Sequence, residues 1–347
     1  MHLSLETQSR THADHVRAAL PASWRSVAIA VHPAPEALGY RTRARVHVRC
    51  DAKGRAAIGM HGVGTHEPVE VDACAVLDPV IEGARRRLGS IFQGSRGRGD
   101  AQIALGASRL PVYDVRWRGE REMGGCDVAK ESFARLEKAV QDATIAGAQL
   151  TLGEAKRPAR IGDPTPWVPG ADGIPLRLSP GGFAQANERL NSALASHVAA
   201  LVRPWRPAHA VELYSGAGNL SVVLARHVGQ LVCVESDRAS CGAARLNLAA
   251  RALEARVVEA DAAAYEWRST TDLLLLDPPR TGAREVAGRL STSRTAHAVY
   301  VSCDAQTLGR DLAVLEPAYV PTSITTFEMF PQTSHVEIVV GLERRRS

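Results

Sequence analysis

The sequence predicts an α/β protein: a carboxyl-terminal doubly wound, mostly parallel sheet preceded by a mixed α/β domain. Three observations carry this. In the second half, short apolar segments alternate with amphipathic ones, as strand–helix units do. A glycine turn, Gly216-Ala217-Gly218, follows the first of those strands. The segment 161–182, rich in proline and glycine, marks a crossing between two differently patterned halves. The expected domains are therefore 1–178 and 179–347.

In the first half, His12–Leu20 reads as an amphipathic helix and Ser26–Val31 as a strand. Tyr40–Arg49 alternates arginine or histidine with smaller residues, which marks a half-buried strand with a cationic face. Gly54–Gly64 and Pro68–Val71 are further strands, Asp78–Leu88 and Ser132–Gln141 helices, and Gln102–Leu105 with Val112–Trp117 a hairpin. In the second half the expected strands are Ala210–Leu213, Leu231–Glu235, Arg256–Val258, Leu273–Leu276, Val299–Val301 and His335–Leu342. Helices over Leu220–Arg226, Arg238–Ala252, Glu285–Leu290 and Ala305–Val314 lie between most of them.

Composition narrows the function classes. A net charge of +5 permits an anionic partner, and 5% aromatic residues leave room for only a small stacking surface. The amino terminus lacks a secretory pattern, and no apolar run approaches the ~18 residues of a membrane span, so a cytoplasmic protein is expected. The six cysteines stand singly, which argues against a zinc site, an iron–sulfur cluster or a disulfide framework.

Chemistry in open α/β sheets gathers outside the carboxyl ends of the strands. The glycine turn lets a ligand approach the backbone, and Glu235, ending the second strand, is placed for ribose hydroxyls. The turn lacks the third glycine of a dinucleotide fingerprint, which favours S-adenosyl-L-methionine (SAM) over NAD. Asp261 is placed either for an adenine amino group or as a helix N-cap. Asp277-Pro278-Pro279-Arg280 closes the fourth strand, with Arg280 able to bind a phosphate or a base oxygen. Cys303 closes the fifth strand as a candidate nucleophile, with Ser302, Arg280 and the following helix start as sources of an activating field. Glu337, inside an apolar strand, is a candidate general base, and His335 is structural or substrate-contacting.

Taken in order, FAQAN (Phe183–Asn187), ELYSGAGNLS, VESD, LLDPPRTG, YVSCDAQTLGRDL and FEMFPQTSHVE resemble the motifs of the RNA uracil-5-methyltransferase family over residues 183–342. GYRTRARVHV and VDACAVLDP resemble the family's central RNA-binding region more weakly. The resemblance implies a Rossmann-like SAM-dependent methyltransferase domain and an amino-terminal RNA-binding domain. It makes Cys303 the nucleophile, Glu337 the proton-abstracting base, and Gln185, Tyr214, Gly216, Asn219, Glu235, Asp261 and Asp277 cofactor-binding. Phe183, Arg280 and His335 become substrate-binding. Uracil carbon 5 is a weak nucleophile until a thiolate adds to carbon 6, which explains why one cysteine and one base are needed together.

The chain departs from many relatives in starting too late for an amino-terminal β-barrel and in lacking the clustered cysteines of an iron–sulfur site. Cys74 then reads as a structural remnant. RNA grip falls to Arg41, Arg43, Arg45 and Arg49, or to Arg85–Arg87, Arg96 and Arg98, unless these are merely solvated faces. Arg344–Arg346 reads as a frayed tail. The expected protein is a monomer that methylates ribosomal RNA, a choice favoured by MFPQTSHVE, with tRNA as the alternative. Methylation at nitrogen without Cys303 and non-catalytic RNA binding are rival readings.

Overall fold

The computed structural model describes residues 3–61, 68–118 and 128–346, so Cys126 and the end of the expected strand Gly54–Gly64 lie outside the described residues. The chain forms two compact units. One comprises Met1–Ala37, Pro169–Leu176 and Arg189–Ser347, the other Leu38–Val168 and Arg177–Glu188. This differs from the 1–178 and 179–347 division because the first 37 residues group with the carboxyl-terminal unit.

Helix α1 (Leu5–Ala19) starts at Ser4, whose Oγ accepts the amide of Thr7, and buries Gln8, His12 and Val16 on one stripe. Its second half is the helix expected over His12–Leu20. Strand β1 (Ile29–His32) follows.

The second unit is built from β2 (Arg43–Cys50), β3 (Ala56–His61), β4 (Pro68–Glu70), α2 (Pro79–Phe92), β5 (Gly97–Leu105), β6 (Pro111–Arg118), α3 (Lys130–Gln141), β7 (Gly147–Leu152) and β8 (Ala159–Gly162). Its strands form one sheet of order β4-β3-β2-β5-β6-β7-β8. Period-two alternation turns Ala44, Val46, Val48 and Cys50 inward, onto a core with Ile81 and Leu88 of α2. The arginines of β2 therefore share the opposite face. The expected hairpin is present as β5 and β6, paired antiparallel from Arg98↔Arg118 to Leu105↔Pro111. Strands β7 and β8 extend the sheet where no strand was expected.

Two short strands, β9 (Trp167–Val168) and β10 (Leu176–Arg177), lie in the crossing segment, and α4 (Glu188–Val202) follows. The remaining elements are β11 (His209–Leu213), α5 (Ser221–Leu224), β12 (Gln230–Glu235), α6 (Arg238–Ala249), β13 (Arg256–Glu259), β14 (Leu273–Leu276), α7 (Arg284–Thr292), β15 (His297–Ser302), α8 (Ala305–Leu315), β16 (Tyr319–Phe327) and β17 (Glu337–Arg344).

The sheet of the first unit runs β1-β16-β17-β15-β14-β11-β12-β13. Strand β17 is antiparallel to both neighbours, and every other pairing is parallel. Leu273 to Leu276 are fully buried, as a central parallel strand covered on both faces requires. Strand β1 pairs in parallel with β16 through Ile29↔Ile324, which ties the amino terminus to this unit. The expected tail at Arg344–Arg346 is instead tied down at its start. The Arg344 guanidinium lies 5.4 Å from the Tyr319 ring, and the Arg345 amide donates to the carbonyl of Ala318.

Candidate active site

Four parallel strands and one antiparallel strand deliver the first unit's candidate residues to one edge of its sheet. Strands β11, β12, β14 and β15 end at Leu213, Glu235, Leu276 and Ser302, followed by the glycine turn, Asp277 and Cys303. Strand β17 runs the other way, so its first residue, Glu337, arrives at that same edge. With Ser302 paired to Ile338, the antiparallel register sets Glu337 beside Cys303.

The turn after β11 is conformationally demanding. Tyr214 has φ +63°, Gly216 φ +55° and Gly218 φ +87°. The first is uncommon for a residue with a side chain, and glycine supplies the other two without steric cost. The Gly216 amide donates to Glu235 Oε2 at 2.9 Å, and the Asp237 amide to Oε1 at 2.7 Å. Oε1 also accepts from the Ser236 hydroxyl at 3.3 Å, so the carboxylate is aimed and Oε2 keeps a lone pair for a ligand hydroxyl. Ser215 Oγ is buried with no hydrogen-bond partner among the described residues. An orphaned hydroxyl, an aimed carboxylate and an open backbone turn suit a nucleoside ligand.

Asn219, expected to bind cofactor, exchanges amide hydrogen bonds with Asn191 of α4, at 2.9 and 3.1 Å. Asp261 is exposed, and its Oδ1 accepts the amide of Ala263 at 2.9 Å within a turn; no helix follows it directly, so it does not serve as the expected helix N-cap. Asp277 keeps a partly open face, yet the protein packed around its carboxyl pushes it up to about 7 by desolvation.

Cys303 is half-buried, and its thiol is pushed up to about 11. Burial is the largest cause, the Glu337 charge adds to it, and Arg280 opposes both. The activating field expected around the cysteine is thus outweighed in the free protein. Ser302 does not supply it either, because its hydroxyl donates to the Asp304 carbonyl and accepts the Asp304 amide. Glu337 is 3% exposed. Arg280 Nη2 donates to His335 Nε2 at 3.4 Å, so the two expected substrate-binding groups meet at the exposed side.

Phe183 and Gln185 belong to the other unit. Phe183 is 77% exposed, with the Arg43 guanidinium 6.0 Å from its ring centroid. Arg43 donates to the carbonyls of Gly182 and Ala184 and to Gln102, which fixes the loop carrying both residues. Arg43 is therefore structural rather than a free phosphate contact. The run Arg85–Arg87 is structural as well: Arg85 and Arg86 pair with Glu82, and Arg87 donates to the carbonyl of Thr144.

One acid was missed in the sequence. Glu212 is 2% exposed, accepts from Ser221 Oγ at 2.5 Å and is pushed up to about 8, chiefly by burial. The signal that singled out Glu337, an acid within an apolar strand, is equally present in Val211-Glu212-Leu213. Tyr300 and the Ala283 amide both donate to fully buried Asp311 at 2.7 Å, tying the turn after Arg280 to α8. Gly282 is required there, because a Cβ would lie 2.5 Å from Asp311 Oδ2. Among the described residues no cluster of three His, Cys, Asp or Glu side chains is arranged to hold a metal ion. Among those residues no helix is long and apolar enough to cross a membrane.

Comparison with known proteins gives concordant matches. A family described as tRNA (Uracil-5-)-methyltransferase matches residues 255–345, and one described as Methyltransferase small domain matches residues 177–299. The 23S rRNA (uracil(1939)-C(5))-methyltransferase RlmD of Pseudomonas putida is 31% identical over 326 residues, covering 88% of this chain and 68% of the relative. Its namesake in Halomonas elongata is 30% identical over 376 residues, covering 99% and 73%. The Pyrococcus abyssi tRNA (uracil-54, C5)-methyltransferase, solved with S-adenosyl-L-homocysteine, shares the fold with a TM-score of 0.78 at 20% identity, covering 98% of this chain and 84% of that one.

Proposed function

The chain belongs to the RNA uracil-5-methyltransferase family, and from that premise we propose that it methylates carbon 5 of a ribosomal RNA uridine through a covalent adduct on Cys303. The observation that carries the mechanism is the antiparallel insertion of β17, which sets Glu337 against the strand end that presents Cys303. Glu235 would hold the SAM ribose, the backbone of the glycine turn would admit the ligand, and Asp277 and Glu212 would face its charged end. Bound there, SAM supplies an electrophilic methyl group to carbon 5 and leaves as S-adenosyl-L-homocysteine.

The residues of this chain do the rest. The Cys303 thiolate bonds to carbon 6, and the electrons of the 5,6 double bond move toward oxygen 4, where Arg280 stands ready to donate. Once carbon 5 carries the methyl group, Glu337 takes its remaining proton. The double bond re-forms, the carbon–sulfur bond breaks, and Cys303 leaves as thiolate. A thiol held well above neutral in the free protein fits an enzyme that activates its nucleophile only with substrate bound. The uridine must leave its stack to reach Cys303, so a loop or single-stranded site is expected.

The second unit offers an anionic partner a fitting surface. On the exposed face of its sheet, Arg49, Arg98 and Arg118 stand directly opposite one another across β2, β5 and β6, with Arg45 and Arg116 nearby. None of the five forms an ion pair among the described residues. Like charges aligned across strands repel, and RNA phosphates would relieve that repulsion. The ribosomal branch rests on the names of the relatives that match most of the chain; tRNA is the second reading, favoured by the family description that matches residues 255–345. Nucleoside mass spectrometry on unmodified ribosomal RNA and tRNA, each incubated with the protein and SAM, tests the choice. New 5-methyluridine in the ribosomal pool is expected; its appearance only in tRNA would overturn the branch, and its absence from both the activity.

A further inference from the structure

Helix α1 reaches both segments that carry the chemistry. On one side it packs on α8, the helix that starts just beyond Cys303. A Cβ on Gly309 of α8 would collide with the carbonyl oxygen of Ala19, so glycine is what admits the end of α1 so closely. On the other side, Gln8 and His12, one turn apart, hold the loop that leads into β17. Gln8 Oε1 accepts the Gln332 amide at 2.8 Å. His12 Nε2 contacts the Thr333 carbonyl at 3.0 Å, and Nδ1 contacts Glu328 Oε2 at 2.7 Å.

The protonation of His12 follows from its partners. A carbonyl oxygen only accepts, so Nε2 carries a proton. A second proton on Nδ1 turns the contact with Glu328 into a buried ion pair, and the hydrogen bond to Glu328 accordingly raises the His12 pKa. His12 is 6% exposed and Glu328 3%. The loop needs such a hold, because Gln332 has φ +68°, a left-handed conformation that costs a side-chain-bearing residue free energy. From the clamped Thr333 the chain runs directly to the site. Thr333 Oγ1 accepts the His335 amide at 3.2 Å, His335 accepts from Arg280, and Glu337 opens β17.

We propose that His12, assisted by Gln8, is a positioning residue for the reaction, clamping loop 328–336 so that Glu337 and His335 stand beside Cys303. The inference rests on the reading of Glu337 as the base. His12 is buried and acts through the loop, so its loss impairs proton removal from carbon 5 more than thiol addition or SAM binding.

The test uses the full chain with two RNAs, the natural substrate and the same RNA carrying 5-fluorouridine at the target. Fluorine at carbon 5 cannot be removed as a proton, so the second RNA traps the methylated Cys303 adduct without needing the base. His12→Ala is expected to lower kcat on natural RNA by ~100-fold, the scale of a misplaced catalytic group. The SAM dissociation constant should stay within about twofold of wild type, the KM for RNA should fall along with kcat because the impaired step follows methyl transfer, and trapping by 5-fluorouridine RNA should keep its wild-type rate. Gln8→Ala, which removes one hydrogen bond, shows the same signature several-fold weaker and decides the matter if His12→Ala fails to fold. An unchanged kcat, or trapping that slows in step with kcat, would overturn the proposal. Wild-type turnover by Glu337→Gln would instead overturn the underlying reading of the base.

Discussion

The glycine turn after β11 and the start of β17 both bring a carboxylate to the same edge of the sheet, by different means. Glu235 is aimed locally: two backbone amides within two dozen residues of one another grip its oxygens. Glu337 is aimed globally, by the pairing of an antiparallel strand and by a helix more than three hundred residues away that clamps the loop before it. The cofactor side is thus a property of a short motif, and the reaction side a property of the assembled unit. Damage to the first should show in SAM affinity, and damage to the second in turnover with affinity intact.

Four tests would break or sharpen that contrast. Cys303→Ala should reduce 5-methyluridine formation by ~10⁴-fold or more while SAM still binds, as isothermal titration would show. Glu235→Ala should weaken SAM binding by ~10-fold or more, the worth of charge-assisted hydrogen bonds, with kcat at saturating SAM nearly unchanged. A fall in kcat there would erase the distinction.

The third test reads the thiol. A pKa raised to about 11 keeps Cys303 protonated at neutral pH, so its alkylation rate should climb steadily with pH toward that value. Glu337→Gln removes a charge that raises the pKa and should move the profile to lower pH. Arg280→Gln removes one that lowers it and should move the profile the other way. The smallest effects belong to the sheet of the second unit. Replacing Arg49, Arg98 or Arg118 by Gln should each reduce the salt dependence of RNA binding by about 0.7 in slope, with little change in kcat. An unaltered slope would separate that face from RNA.

Much of this was legible because the relevant signals are local. The apolar runs at Leu273–Leu276 and Val299–Val301, the glycine pair and the Asp277–Arg280 turn each announce themselves within a few residues. Strand β16 was missed because Pro321 and its threonines mask the alternation, although the segment 319–327 lies between β1 and β17. Strand β1 was read as a strand but assigned to the wrong unit, since no local pattern encodes a partner almost three hundred residues away. The arginines show the same limit. Arg85–Arg87 is a run in sequence that structure consumes, whereas Arg49, Arg98 and Arg118 become a cluster only when three strands pair. Asn219 and Ser302 stand beside the strand ends expected from sequence, but their hydrogen bonds to Asn191 and to Asp304 are facts of packing.

The account's central claim, that β17 brings a base to an adduct formed on Cys303, is tested most directly by Glu337→Gln on natural RNA. Denaturing electrophoresis followed by peptide mass spectrometry reads the outcome. The account predicts that a methylated RNA–protein adduct accumulates, mapped to Cys303, while free product falls by roughly 10²- to 10⁴-fold. Wild-type turnover without an accumulated adduct, or an adduct mapped to another residue, would contradict it.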